Sequence, residues 1–301
     1  MNKYIDSKLT IKKINIINLL AILPLLISGF YKNGIKLYAL GLVNIFGLFK
    51  PLIFDILVLV IGMLVPFIVD NYIKHKKRKI LSYLTMSNYP YYGLILASII
   101  SINTPIYIFL LVIFICSFLS LILKKPNVNI MCLMALLIIL IMNLKGSFSF
   151  LNIYESTNNF HLTPLDYFMG KGSGGINTTN VILLVISIII LFIQDYYKKE
   201  IPLYAFITYF ILILGYGLYK NNIILILDSL FSNSVLFSYV FIATDMKTSP
   251  YTKLGKIIYA ILIGVITFIL YMYYPELAGI GAILIGSLCA KTIDKMVLNI
   301  S

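Results

Sequence analysis

The amino-acid sequence predicts an all-α, polytopic membrane protein of about ten transmembrane helices in an inverted 5+5 repeat with broken helices. Composition, the lengths of the apolar runs and the placement of the basic clusters carry that expectation. Of 301 residues, 60% are hydrophobic and 12% are charged, whereas soluble domains run at roughly 45–50% and about 25%. A chain of this size cannot hide so much apolar surface in a water-facing fold. A soluble enzyme, a disordered chain and a secreted disulfide scaffold are thereby excluded.

A crossing needs roughly 20 apolar residues, and about 17 suffice. The runs that meet this are 14–30, 52–72, 105–123, 128–145, 179–196, 202–219 and 256–274, with a Gly-rich last one at 278–293. The first follows Lys12-Lys13 and is not succeeded by a small-residue cleavage site, so it is expected as an uncleaved helix. Stretches 80–103 and 221–245 are apolar but interrupted by polar pairs, and 89–103 and 221–245 are each counted as one crossing. The short run 36–48 is expected to lie along the outer surface, or to dip in and return.

Charge sets the orientation. Lys plus Arg number 24 against 11 acids, a net charge of +13. The basic residues sit in short clusters between apolar runs, the pattern of topology determinants. A nucleic-acid partner is not implied, because no basic face on a polar domain is present. Placing Lys74–Lys79 and the N-terminus in the cytoplasm puts 18 basic residues in inner loops and six in outer ones. Both termini are then cytoplasmic in a multi-pass protein of the cell membrane. The long hydrophilic stretch 146–178 faces outward. The expected organisation is one integral membrane domain over 1–301, with a first repeat at 14–147, an outer-face loop at 148–178 and a second repeat at 179–296.

The repeat expectation comes from two segments. Residues 87–105 (SNYPYYGLILASIISINTP) and 232–250 (SNSVLFSYVFIATDMKTSP) both open with Ser-Asn and close with Thr/Ser-Pro, offset by 145 positions. They are the third and eighth crossings, five apart, and an odd number of crossings reverses direction. Ser and Asn favour helix N-caps, so Ser87, Asn88, Ser232 and Asn233 are expected to open half-helices at membrane depth. Non-helical backbone is tolerated there only where protein buries it or where it lines a cavity. Ordinary capping at the interface is the alternative. Asp228 lies well inside an apolar run, where a carboxylate is costly and is usually paired or functional. It is expected on an ion pathway or as a neutral hydrogen-bonded group. Asp55 and Asp245 lie nearer the predicted interfaces, and a solvated or capping role is expected for each. Cys116, Cys132 and Cys289 fall in or beside apolar runs without metal-ligand spacing, and no metal site is expected. Tyr89, Tyr91, Tyr92, Tyr196, Tyr197, Tyr271, Tyr273 and Tyr274 fall at predicted helix ends and are expected as interfacial anchors.

The last third of the chain carries a resemblance. Ala243-Thr244-Asp245-Met246-Lys247-Thr248-Ser249-Pro250, then Gly255-Lys256, Tyr274-Pro275-Glu276 and Ile293-Asp294 resemble the RnfD/NqrB family. Its members belong to the Rnf complex and to the sodium-pumping NADH:quinone reductase. That family has roughly Ala-Thr-Asp-Pro-x-Thr-Ser-Pro in the first run, and Met246 replaces one proline. Its Asn-Pro-x-Asn-Pro run corresponds to Pro126-Asn127-Val128-Asn129.

The resemblance implies an integral subunit of a Na⁺- or H⁺-translocating, flavin-dependent electron-transport complex. Such a subunit is not catalytic alone and works beside other membrane subunits of an Rnf/Nqr-like complex in the lipid bilayer. It implies a five-helix inverted repeat similar to urea-channel folds, while Thr244 and Asp245, in the run that carries the resemblance, join Ser87, Asn88, Asp228, Ser232 and Asn233 as candidates for an ion pathway or midplane site. It also implies FMN esterified to a threonine in a Ser-Gly-Ala-Thr-Pro-Leu run, with riboflavin or another non-covalent flavin as a further possibility. Thr163-Pro164-Leu165 is kept here, while Phe160-His161-Leu162 stands where the family has Ser-Gly-Ala.

The family also has a Gly-rich stretch followed by a threonine. Gly170-Lys171-Gly172-Ser173-Gly174-Gly175 before Asn177-Thr178-Thr179 matches it. Glycines let backbone N–H groups approach a phosphate closely. Gly172, Gly174, Gly175, Thr178 and Thr179 are therefore candidate flavin-phosphate contacts, against the alternative of a surface loop. His161 is a candidate flavin contact, against the alternative of a solvated loop histidine. The lost Ser-Gly-Ala leaves open a rival reading, a non-redox solute or ion channel or permease with the same inverted-repeat fold. An accessory membrane subunit without cofactor is a third.

Overall fold

The computed structural model describes residues 10–122, 128–144 and 163–300, and over these the chain is helical, with no strand among the described residues. Helix α1 (Ile11–Ala39) and α2 (Ile45–Ile73) are each 29 residues long, about 43 Å at 1.5 Å per residue. A short turn of helix, α3 (Tyr83–Met86), precedes α4 (Tyr89–Ile99). Then come α5 (Ile106–Ile122) and α6 (Ile130–Leu144). Beyond residue 163 the order is α7 (Pro164–Phe168), α8 (Val181–Phe192), α9 (Glu200–Tyr219), α10 (Ile223–Phe231), α11 (Val235–Phe241), α12 (Lys253–Tyr273) and α13 (Ala278–Ile300). Six helical stretches are long and apolar enough to span a bilayer, and α5, α6 and α8 are shorter apolar helices. The protein is an all-helical, multi-pass membrane protein.

The stretch 36–48, much of it exposed, is the turn of a helical hairpin and not a separate segment. Residues 36–39 finish α1, 45–48 begin α2, and 40–44 make the turn between them. Two crossings therefore separate the N-terminal region from Lys74–Lys79. The end of α1 winds as a π-helix over Tyr31–Lys36, where Gly34 lies so close to α2 that a Cβ would stand 2.5 Å from the Leu48 carbonyl oxygen. The apolar pattern is too short to show that both helices continue into the turn.

A sequence of helix, helix, interrupted helix, helix, helix occurs twice. It runs first through α1, α2, α3/α4, α5 and α6, and again through α8, α9, α10/α11, α12 and α13. The interruptions fall at the Ser-Asn pairs. Ser87 closes α3 and Asn88 opens α4, while Ser232 closes α10 and Ser234 opens α11. The two half-helices α4 and α11 form the centre. Every residue from Pro90 to Ile99 is buried, and so are Val235 and Phe237–Phe241. Around them the outer helices expose aliphatic side chains, as a lipid-facing surface does, at Ile56, Leu111, Ile189, Ile211 and Ile261.

Hydrogen bonds gather the loops into two ends. At one end Asn15 donates to the carbonyls of Thr85 and Ser87, Tyr196 to Asn18, Tyr92 to Asp245, and Tyr251 and Thr252 to Asp294. At the other end Lys32 and Asn33 of α1 reach the 170–180 segment, which itself meets the end of α4 and the start of α11. Close packing demands glycine at this second end. A Cβ on Gly175 would stand 2.5 Å from the Ser98 carbonyl oxygen and 2.4 Å from that of Ile99. Gly175→Ala is expected to lower stability by about 1–3 kcal/mol, the usual cost of overpacking. Gly215, whose Cβ would meet nothing within 4 Å, should accept alanine without loss. Melting temperatures of the two variants in detergent test the contrast.

Candidate functional site

The Gly-rich segment does not lie open on the surface. Backbone N–H groups of Ile176 and Asn177 donate to the carbonyls of Ile100 and Ser98 (both 3.1 Å), satisfying the C-terminal end of α4. On the opposite side the N–H of Asn233 donates to Ser173 (3.0 Å), the N–H of Gly175 donates to Ser234 Oγ (3.2 Å), and the hydroxyls of Thr178 and Ser234 lie 2.7 Å apart. The loop is thus wedged between the two interrupted helices. Asn233 and Ser234 both have left-handed backbone, with φ of 55° and 61°. Two consecutive non-glycine residues in that region cost of order 1–3 kcal/mol each and persist only where the surroundings fix them. Here the wedge fixes them.

Two carboxylates flank the wedge from within the helices. Asp55 of α2 is 7% exposed and accepts from Asn177 Nδ2 at 3.5 Å, and the same amide reaches Ser98 Oγ at 3.2 Å. Asn177 Oδ1 is buried without a hydrogen-bond partner. Asp228 of α10 accepts from Ser232 Oγ at 2.8 Å and from the Tyr271 hydroxyl at 3.4 Å. A Cβ on Gly172 would meet Ser232 Oγ at 2.6 Å, so the loop also closes over this carboxylate.

At the rim of the same end, Thr163 opens α7. Its N–H and hydroxyl both donate to Asp166 Oδ2, at 2.8 and 2.7 Å, and Asp166 Oδ1 pairs with Lys171. The Lys171 ammonium and the Thr163 donors hold the Asp166 carboxyl well below the usual carboxylate range. Thr163 is exposed and open to a solute arriving from water.

The opposite end holds a second polar centre around the Ala243–Pro250 run. Asp245 accepts from the Tyr92 hydroxyl (2.8 Å) and from Thr248 (2.9 Å), and Asn129 donates to Thr248 (3.0 Å) and to the Ile242 carbonyl (3.3 Å). Thr244 turns back to the Val240 carbonyl. Beside them is a cavity of about 460 Å³ lined by Tyr89, Tyr92, Asn129, Asp245, Thr248 and Tyr251, among others, within the range of small-molecule sites. Lys198, between α8 and α9, reaches over to this run. Its ammonium donates to the Ser249 hydroxyl (2.7 Å) and carbonyl (2.9 Å) and stands 4.3 Å from the Tyr251 ring centroid. Burial pulls its pKa down to about 8, against a smaller opposing pull from Asp245.

A family model described as the NQR2, RnfD, RnfE family matches residues 127–300, from just before Asn129 through both centres. The chain belongs to that family. Among curated relatives, the D subunit of the ion-translocating oxidoreductase complex of Mannheimia succiniciproducens is 34% identical over 98 residues, covering 32% of this chain and 27% of the relative. The same D subunit of Methanosarcina acetivorans is 32% identical over 109 residues, 36% and 35% of the two chains. That of Haemophilus influenzae (strain PittEE) is 29% identical over 151 residues, 47% and 41%. The chain thus matches between about a quarter and two fifths of the length of these relatives.

In this NQR2/RnfD/RnfE-family chain the structure brings Gly172, Gly174, Gly175, Thr178 and Thr179 together with Asp228, Ser232 and Asn233 at one end. It places Ser87, Asn88, Thr244 and Asp245 at the other. Thr163 lies apart from both groups, at the rim, and His161 lies outside the described residues. Capping differs from expectation. Ser87 Oγ accepts from the N–H of Tyr89, Asn88 makes no capping bond, and Ser232 serves Asp228 instead of a helix end. Ser234, not singled out from the sequence, is the residue that ties α11 to the loop. Asp55 is a correction. The sequence places it near an interface because the apolar run is taken from residue 52, but α2 begins at Ile45, so Asp55 sits about 15 Å along the helix. Tyr91, Tyr92 and Tyr197 are also buried at 8% or less, packed inside instead of anchoring at the surface, whereas Tyr273 and Tyr274 are exposed.

Lys198→Met keeps the aliphatic stem but leaves the Ser249 oxygens without their donor, for an expected loss of about 1–3 kcal/mol. Above pH 8 the folded protein releases this proton, while the unfolded chain holds it to about pH 10.4. The wild type should therefore gain stability relative to Lys198→Met as pH rises through that window. Melting curves of both proteins at about pH 7.5 and about pH 9.5, on either side of the folded-state value, measure the difference.

Proposed function

We propose that this chain is an integral membrane subunit of an ion-translocating, flavin-dependent electron-transport complex, of the RnfD kind. The observation that carries this reading is the family match over residues 127–300, together with the curated relatives named as D subunits of an ion-translocating oxidoreductase complex. Its partners are then the other membrane subunits of such a complex. The recurrence of helix, helix, interrupted helix, helix, helix supports an inverted repeat whose halves are 14–147 and 179–296. The basic bias supports an arrangement with both termini cytoplasmic and the Thr163 end outside.

Two places suit a flavin. Thr163 is exposed, with a hydroxyl already polarised toward Asp166, and suits a phosphate ester of FMN. The cavity at the other end offers Tyr89 and Tyr92 as ring contacts and Asn129 and Asp245 as hydrogen-bonding groups, and suits a riboflavin-like ring system held without a covalent bond. Bound flavin supplies one- and two-electron redox chemistry. The chain's own part is to hold each ring at a fixed end. It also presents carboxyls within the helical bundle, Asp55 and Asp228, on either side of the wedge. A cation passing between the half-helices would meet these two groups and the carbonyls at the end of α4. Charge arriving on a flavin near them shifts the energy of an ion strongly where the dielectric is low.

In-gel fluorescence of the denatured protein from its native complex tests the covalent site. A flavin band is expected, and Thr163→Ala should remove it entirely while the complex still assembles. No flavin of either kind in the native complex would overturn the redox reading and leave a permease with this fold. Single cysteines replacing Lys77 and Lys171 should label from opposite sides of the membrane; labelling from the same side would overturn the topology.

A further inference from the structure

The densest charge in the chain lies away from both polar centres. Lys74-His75-Lys76-Lys77-Arg78-Lys79 holds five of the 24 basic residues in six positions and follows directly on the end of α2 at Ile73. Among the described residues its one ion pair is with Asp70, which meets Lys74 at 3.7 Å and also accepts from the Tyr83 hydroxyl at 3.1 Å. Lys76, Lys77, Arg78 and Lys79 are exposed and make no ion pair among the described residues. A run that only sets topology needs charge and no particular shape, yet this one is tied down. Asn71 holds the backbone of Arg78 by two bonds, accepting from its N–H (2.9 Å) and donating to its carbonyl (3.0 Å). The N–H of Lys76 donates to the Asp70 carbonyl, and His75 takes a left-handed φ of 53° in the turn. The four cations are thereby gathered in one closed turn, and less ordering remains to be done when a partner binds.

What faces the turn follows from where it lies. Helix α2, 29 residues and about 43 Å long, matches the roughly 40–45 Å of a bilayer with its headgroups. The turn therefore emerges at headgroup level and not far out in water. Its flanks agree. Tyr72 and Ile73 before it and Ile80 and Leu81 after it are all exposed, Tyr72 and Leu81 at 71% each. A soluble acidic protein on the lysines would leave these apolar side chains in water, whereas the border between headgroups and acyl chains takes them up. We propose that residues 72–81 form a docking surface for acidic phospholipid. Lys76, Lys77, Arg78 and Lys79 meet the headgroup phosphates, and the four flanking side chains rest at the edge of the acyl chains. That this leaflet is the cytoplasmic one rests on the topology proposed above; the lipid chemistry rests on neither that topology nor the redox reading.

The chain has no tryptophan, so Tyr72→Trp puts a single fluorophore at this surface. Tyr273→Trp, at a position 74% exposed at the far end of α12, puts one at the opposite end of the molecule. Each full-length variant is reconstituted in phosphatidylcholine vesicles with a minor share of brominated phosphatidylglycerol or of brominated phosphatidylcholine, and contact is read as quenching. At Tyr72→Trp phosphatidylglycerol is expected to be preferred at least about fivefold, the worth of one basic residue at an anionic surface, with the preference shrinking as salt rises. At Tyr273→Trp the two lipids should quench alike. In the Tyr72→Trp background, Lys76→Gln, Lys77→Gln, Arg78→Gln and Lys79→Gln together should bring the lipids level. Lys76→Arg, Lys77→Arg and Lys79→Arg should keep the preference. If the fourfold glutamine variant fails to insert, Lys76→Gln with Lys77→Gln should show part of the loss. These vesicles carry the same lipids on both faces, so the result is the same whichever face is cytoplasmic. A preference of equal size at both tryptophans, or one that survives the glutamine substitutions, overturns the inference. Equal quenching by the two lipids at Tyr72→Trp also overturns it and leaves an acidic protein as the partner.

Discussion

The structure depends on a polar loop satisfying backbone that two interrupted helices leave unpaired inside an apolar protein. Amides of Ile176 and Asn177 cap the carbonyl end of α4, while Ser173, Gly175 and Thr178 hold Asn233 and Ser234 at the start of α11. Without those bonds, carbonyl and N–H groups at the ends of two buried half-helices would have neither water nor protein as partner, at a cost of several kcal/mol. The left-handed backbone at Asn233 and Ser234 adds strain that only the same contacts can hold. Glycine at position 175 follows from this arrangement, because the loop backbone must touch the backbone of α4.

The same constraint explains which features are legible in the residues alone. Long apolar runs such as 202–219 and 256–274 correspond closely to α9 and α12, because lipid-facing side chains dominate them. The Ser-Asn pairs mark both helix breaks, since polar residues in the middle of apolar runs have few other uses. The details of capping are not legible. Ser232 and Ser234 differ in role because one bonds Asp228 and the other bonds Thr178, and the spacing of serines does not distinguish those two environments. The depth of Asp55 is hidden for a similar reason, since it depends on where α2 begins, and α2 begins in a turn whose residues are as apolar as the helix.

Tyrosine shows the limit of composition most clearly. Tyr92 and Tyr273 look alike in the chain, each close to other tyrosines near a helix end. One is buried against Asp245, and the other is exposed. The distinction lies in α4 being a central half-helix enclosed by its neighbours. A pattern of spacing carries no information about enclosure when every surrounding helix is equally apolar.

The shortness of α8 has an electrical consequence. Its 12 residues reach about 18 Å, well under the roughly 30 Å of a bilayer's hydrocarbon layer, and the loop before it sinks inward to make up the difference. In a bilayer, a short helix beneath an inward-packed polar loop leaves less insulating thickness on that side of the molecule. Where the insulation is thinner the same voltage falls over a shorter distance, so a charge shifted by a few ångströms beneath the loop crosses a larger share of the potential, worth about 2.3 kcal/mol per elementary charge for each 100 mV traversed.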